Sequence, residues 1–200
     1  MLAGAGLGGY PGVMLNLSLI APDSPRPLLR EEYDRMVELG FFEDERVELL
    51  DGMVVQMSPQ GSQHAWVIRR LTGLLVRGLG ARAELCPQLP FAASDSSEPE
   101  PDLMVVEPDL GPEAHPSSAF LVVEVAQTSQ RKDRLLKARI YAAAGVPELW
   151  LIDLVAGTLS VLTEPDGQGY RNERRYGRGD TVAPTSFPDL VLRVEDFIPA

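Results

Sequence analysis

Residues Phe120 to Ala126 read FLVVEVA, apolar on both sides of a single acid, Glu124. A strand with one wet face alternates apolar and polar residues, whereas a strand apolar at successive positions is covered on both faces. That requirement alone calls for a layered fold, with helices packed over a central sheet. Asp102 to Val106, DLMVV, is a second short run suited to the same sheet. Glu124 is the anomaly inside this frame. A carboxylate deep in such a strand is costly unless it is paired, protonated or bound to a cation.

The remaining segments supply the other layers. Pro22 to Pro27 reads as a linker, and Arg30 to Leu39 as a short amphipathic helix carrying Leu29, Tyr33 and Val37 and ending near Gly40. The stretch RVELLDGMVVQM joins two apolar runs through Asp51-Gly52, a pair that tolerates the positive φ of a tight hairpin turn. Ser62 is suited to cap a helix running to Leu79, with His64, Ile68, Leu71, Leu75 and Leu79 along one stripe. Short strands are expected at 81–85, 88–93, 149–154 and 158–162, with more after Tyr170, and polar loops at 94–100 and 107–118. A helix over Arg131 to Ala144 stops at Gly145, ahead of Pro147. The pattern predicts one mixed α/β domain over residues 28–200, preceded by a flexible extension at 1–27.

Composition narrows the chemistry. A single cysteine, Cys86, cannot close an intramolecular disulfide, and two histidines with one cysteine exclude a Cys/His zinc cage. Any bound metal must therefore be held mainly by carboxylates. The net charge of −11 excludes a globally basic nucleic-acid coat protein, though not a local basic patch. No run reaches the roughly 20 apolar residues that span a bilayer. The uncharged start of the chain lacks the basic stretch of a signal peptide, so a cytoplasmic location is expected.

An Asp opening one central strand and a Glu inside the next can bring two hard oxygen ligands to one point, the donor set that Mg²⁺ or Mn²⁺ prefers. The cations add a third element. Of 18 basic residues only Lys132 and Lys137 are lysine, and both follow Glu124 within 13 residues. Asp133, Lys137 and Tyr141 recur at i, i+4 and i+8 and so share one helix face. Lys137 there is either half of a helical ion pair or a compact ammonium placed for chemistry.

Pro101-Asp102, some twenty residues and then Glu124-Val125 resembles the PD-(D/E)XK nuclease superfamily. The segment EVAQTSQRKDRLLKARIYAAAGVPELWLID is similar to one bacterial branch of it, the restriction-endonuclease-like proteins. The resemblance runs from about Leu28 to Phe197 and includes the VELLDG hairpin, the His64 helix, Ser129, Asp133, Lys137, Tyr141, Trp150 and Asp153. It implies a restriction-endonuclease-like core, with a mixed sheet of about four strands flanked by helices. It also implies Asp102 and Glu124 as ligands of a Mg or Mn ion, Glu48 as an accessory acid, and DNA as the substrate. His64 leads the inward stripe of its helix, either bordering the site or as a core histidine. The sequence departs from the superfamily at Ala126, where lysine is usual, which makes Lys137 the substitute cation.

The expected activity is metal-dependent endonucleolytic hydrolysis of DNA, with Arg131, Lys132 and Arg134 on the approach and a homodimer serving the two strands. The alternative is a nuclease-like module that binds without cutting. Two basic runs, 131–139 at net +4 and 171–178 at net +3, offer DNA surfaces, while 31–51 and 93–114 each carry −7.

Overall fold

The computed structural model describes residues 22–109, 111, 114–126 and 131–199, with backbone alone for 131–134. Most of the proposed N-terminal extension, residues 1–21, and Ser129 lie outside the described residues.

Six strands form the central sheet: β3 (Glu84–Cys86), β4 (Leu103–Val106), β5 (Leu121–Ala126), β6 (Glu148–Asp153), β7 (Thr158–Pro165) and β8 (Tyr170–Tyr176), lying side by side in chain order. Every neighbouring pair is antiparallel except β5 and β6, which run parallel with Glu124 opposite Leu151. A parallel pair needs a crossover, and the helix α3 (Arg131–Ala143) provides it.

The unbroken apolar run of β5 has the predicted cause. Leu121, Val123 and Val125 face a core shared with the helix α2 (Ser62–Leu79), with Trp150 and with the C-terminal Val194, Phe197 and Ile198. Val122 faces a second core under α3, with Ala138, Tyr141 and Leu149. By alternation Glu124 belongs to the α3 face.

Before the sheet come the helix α1 (Arg30–Glu38) and a hairpin, β1 (Val47–Leu50) with β2 (Met53–Gln56). Asp51 and Gly52 turn it at φ 49° and 77°, the two positive angles of a tight hairpin turn. Gly52 is also required by space, since a Cβ there would stand 2.3 Å from Cβ of Pro27. All four residues of β1 are buried. Val47 and Leu49 pack against Tyr33 of α1, while Glu48 and Leu50 face a cleft. Of the stripe expected on α1 only Tyr33 is buried; Leu29 and Val37 are 46% and 50% exposed, because the helix leans on the hairpin through about one turn.

Three local expectations change. Residues 88–93 form no strand: Gln88 takes φ 53°, and Pro87 and Pro90 have no N–H to give a ladder. Phe91 and Ala92 instead donate singly to the carbonyls of Pro99 and Pro116. Gly61, not Ser62, occupies the cap position of α2. The sheet has six strands, not about four, because β7 and the seven-residue β8 extend it past β6. The tail adds a small ribbon, β9 (Thr181–Val182) with β10 (Leu192–Arg193), and packs Phe187, Leu192 and Phe197 into the α2-side core. Among the described residues no helix is long and apolar enough to cross a membrane.

Candidate functional site

A cleft of about 330 Å³ opens between the hairpin, the start of α2 and the ends of β4 and β5. Its lining includes Glu48, His64, Asp102, Glu124, Ala126 and Lys137. Five of these residues, all but Ala126, were expected at a site from sequence, and each arrives on a different element or junction.

Lys137 is the hub. Its Nζ lies 2.9 Å from Glu48 Oε2 and 3.2 Å from Glu124 Oε1. Tyr141, one turn further along α3, donates to the same Glu124 oxygen at 2.6 Å. Glu48 Oε2 also accepts the backbone N–H of Glu100 at 3.0 Å. Asp102, just ahead of β4, accepts the Val125 N–H on Oδ2 at 2.7 Å, which ties the two central strands together at the site. Its Oδ1 lies 3.0 Å from His64 Nε2 and accepts from Gln60 Nε2 at 3.4 Å. His64 is thus both a buried helix residue and a direct neighbour of Asp102.

The electrostatics follow from burial. Desolvation pushes Glu124 up to about 7, against the pull of Lys137 and with the repulsion of Asp102 and Glu48. Burial opposes the charged form of Lys137, yet Glu124 and Glu48 outweigh it and hold the ammonium above its ordinary value. Burial, and next the Glu124 charge, raises the Tyr141 hydroxyl, which stays a donor. Two carboxylates, Glu48 and Glu124, therefore flank one ammonium, and Asp102 lines the same cleft; with all three ionised they exceed the Lys137 charge by two.

The three carboxylates offer the hard oxygen donors that a divalent cation prefers, beside the nitrogens of His64 and Lys137. Among the described residues no group of three or more His, Cys, Asp or Glu side chains is placed so that it could hold a metal ion. Lys137 instead draws Glu48 and Glu124 to itself. The donor set fits a cation in charge and type, with Lys137 lying between two of its members.

The sequence matches the Uma2 family, described as "Putative restriction endonuclease", over residues 30–195. The chain belongs to this family. Among solved structures it is similar to a protein of Anabaena variabilis ATCC 29413, described as a "putative nuclease belonging to DUF820". That likeness has a TM-score of 0.67 at 15% identity, and covers 86% of this chain and 97% of the other. The type IIG restriction endonuclease BpuSI aligns with TM-score 0.39 at 17% identity, over 57% of this chain and 14% of its own. No curated protein matches the chain. The Uma2 chain thus has a nuclease-like, restriction-endonuclease-like fold, as its motifs implied.

The expected DNA approach fares less evenly. Side chains of Arg131, Lys132, Asp133 and Arg134 lie outside the described residues. From the same run, Lys137 turns inward and Arg139 pairs with Asp51 of the hairpin turn. On β8, at the far edge of the sheet, Arg171 pairs with Asp166 and Arg175 with Glu173. Tyr141 was legible as a member of the Lys137 face. Gln60 and Gln88, which stand behind Asp102, were not; both lie in loops, where no periodicity marks an inward side chain.

Proposed function

We propose that this Uma2 protein is an endonuclease that hydrolyses DNA phosphodiester bonds with a Mg or Mn ion held by Asp102 and Glu124. One observation carries the reading: Glu48, Asp102 and Glu124, from three separate parts of the chain, converge with Lys137 on one cleft. Family membership supports nuclease chemistry and DNA as the substrate class.

When bound, the cation would lower the pKa of a water and offset charge developing on phosphorus-bound oxygens. The chain's own residues have distinct parts. Asp102 and Glu124 offer the ligand oxygens, and Glu48 stands by as a third. Tyr141 holds Glu124 in one orientation, and the Val125 N–H holds Asp102. Lys137 brings its ammonium from α3 to the place a lysine at 126 would serve from β5. There it is positioned to steady a water or a phosphate oxygen. Cleavage of both strands would be served by a dimer.

A second reading, a nuclease-like module that binds without cutting, is favoured by Lys137 already satisfying two of the three acids. Incubation with plasmid and with single-stranded and duplex oligonucleotides in Mn²⁺ separates the two. Cutting that disappears in Asp102→Asn and Glu124→Gln supports the nuclease; Mn²⁺ binding and DNA retention without cutting support the module.

A further inference from the structure

Asp102 is held on more sides than a strand-end aspartate needs. Beyond the Val125 N–H and His64, its Oδ1 accepts from the amide of Gln60, and Gln60 Oε1 accepts from Gln88 Nε2 at 2.6 Å. The order of these amides is forced. An ionised carboxylate only accepts, so Gln60 must turn its NH₂ toward Asp102, its carbonyl away, and Gln88 must answer with its own NH₂.

Gln88 meets Asp102 a second time through the backbone, its N–H donating to the Asp102 carbonyl at 3.3 Å. It does so at φ 53°, a left-handed conformation that a residue with a Cβ seldom takes. Strain of this kind persists where surrounding contacts over-determine it, and it clusters at functional sites. Here one residue grips both the backbone of Asp102 and, through Gln60, its carboxylate.

We infer that Gln60 and Gln88 are positioning residues acting in series, which fix the Asp102 carboxylate in the orientation that receives a divalent cation. This rests on the reading of Asp102 as a metal ligand. Partners that orient a ligating carboxylate commonly change metal affinity by about 10- to 100-fold when removed.

The test is Mn²⁺ calorimetry on the full chain, with thermal melts alongside. Gln88→Gly is the informative variant, because glycine adopts φ 53° freely and removes the amide without disturbing the turn. Gln60→Ala should weaken Mn²⁺ binding about tenfold, and Gln88→Gly by a part of that, with unchanged melting. In the double variant Gln88→Gly should add nothing to Gln60→Ala, since its effect passes through Gln60. Binding that survives Asp102→Asn overturns the ligand reading itself. Binding lost in Asp102→Asn but indifferent to Gln60→Ala and Gln88→Gly overturns the positioning role, and additive effects overturn the series arrangement.

Discussion

Lys137 lies between two buried carboxylates, and that fixes what its removal does. A buried ion pair contributes little net stability, but removing one partner leaves the other charge uncompensated, at a cost of about 3–5 kcal/mol. Lys137→Met should therefore destabilise the metal-free protein by that order at pH 8. At pH 5.5 the loss should be smaller, because Glu124, raised to about 7, is already protonated there and removal of the ammonium leaves it without an unpaired charge. Urea unfolding at the two pH values measures both; an equal loss at each would show that Glu124 does not depend on Lys137. The same residue has a counterpart for chemistry at Ala126, two residues beyond Glu124 and also lining the cleft. If the proposed nuclease activity is present, Lys137→Ala should lower kcat on the order of 100-fold. Adding Ala126→Lys should return part of it in plasmid cleavage. No recovery would mean that the ammonium must come from α3.

The hairpin is the element that brings Glu48 to the cleft, so its turn should govern both stability and the site. Gly52→Ala combines a left-handed angle, about 1–2 kcal/mol for a residue with Cβ, with a clash against Pro27 at 2.3 Å. Gly157→Ala is the control, since its φ is also positive but nothing lies within 4 Å of a Cβ there. Gly52→Ala should lower the urea midpoint clearly more than Gly157→Ala; equal effects would mean that Pro27 moves aside freely. Elements with a local signal were the legible ones. Asp51-Gly52 announced the hairpin, and the spacing of His64, Ile68, Leu71, Leu75 and Leu79 announced the buried face of α2. The segment 88–93 was misread because apolar Leu89 and Phe91 imitate strand alternation, while the real determinant is where two prolines and one left-handed residue steer the chain. Burial of Glu48 was equally invisible in sequence. It follows from β1 lying between α1 and the cleft, a tertiary fact.

At the scale of the molecule, the acidity of this chain is organised. Residues 31–51 and 93–114, each at −7, are brought together by backbone bonds: Leu49 and Glu98 exchange N–H and carbonyl, and Gly52 donates to Ser96. Sequence showed the two blocks but not that they meet. Glu98, buried within this junction, is raised to about 7 by burial and by Asp34, with Arg30 opposing. Glu124 is raised to about 7 in the cleft. Both carboxyls bind protons more tightly folded than unfolded, where each lies near 4.5. Their stabilising contribution is thus fully present below about 4.5 and is lost as pH rises through about 7, each unit of displacement being worth about 1.4 kcal/mol. Metal-free protein should therefore lose stability from pH 5 to pH 8, against the common trend for carboxylates paired with cations. Glu98→Gln and Glu124→Gln should each flatten the fall. Mn²⁺ should act in the opposite sense, because its ligands must be ionised to bind and binding to the folded state alone stabilises it. Thermal melts from pH 5 to 8, with chelator and then with excess Mn²⁺, should show a gain from Mn²⁺ that grows with pH. If Glu98→Gln alone flattens the chelator curve and Mn²⁺ adds the same increment at every pH, the cleft carboxylates are not the cation's ligands, and the excess negative charge there has another purpose.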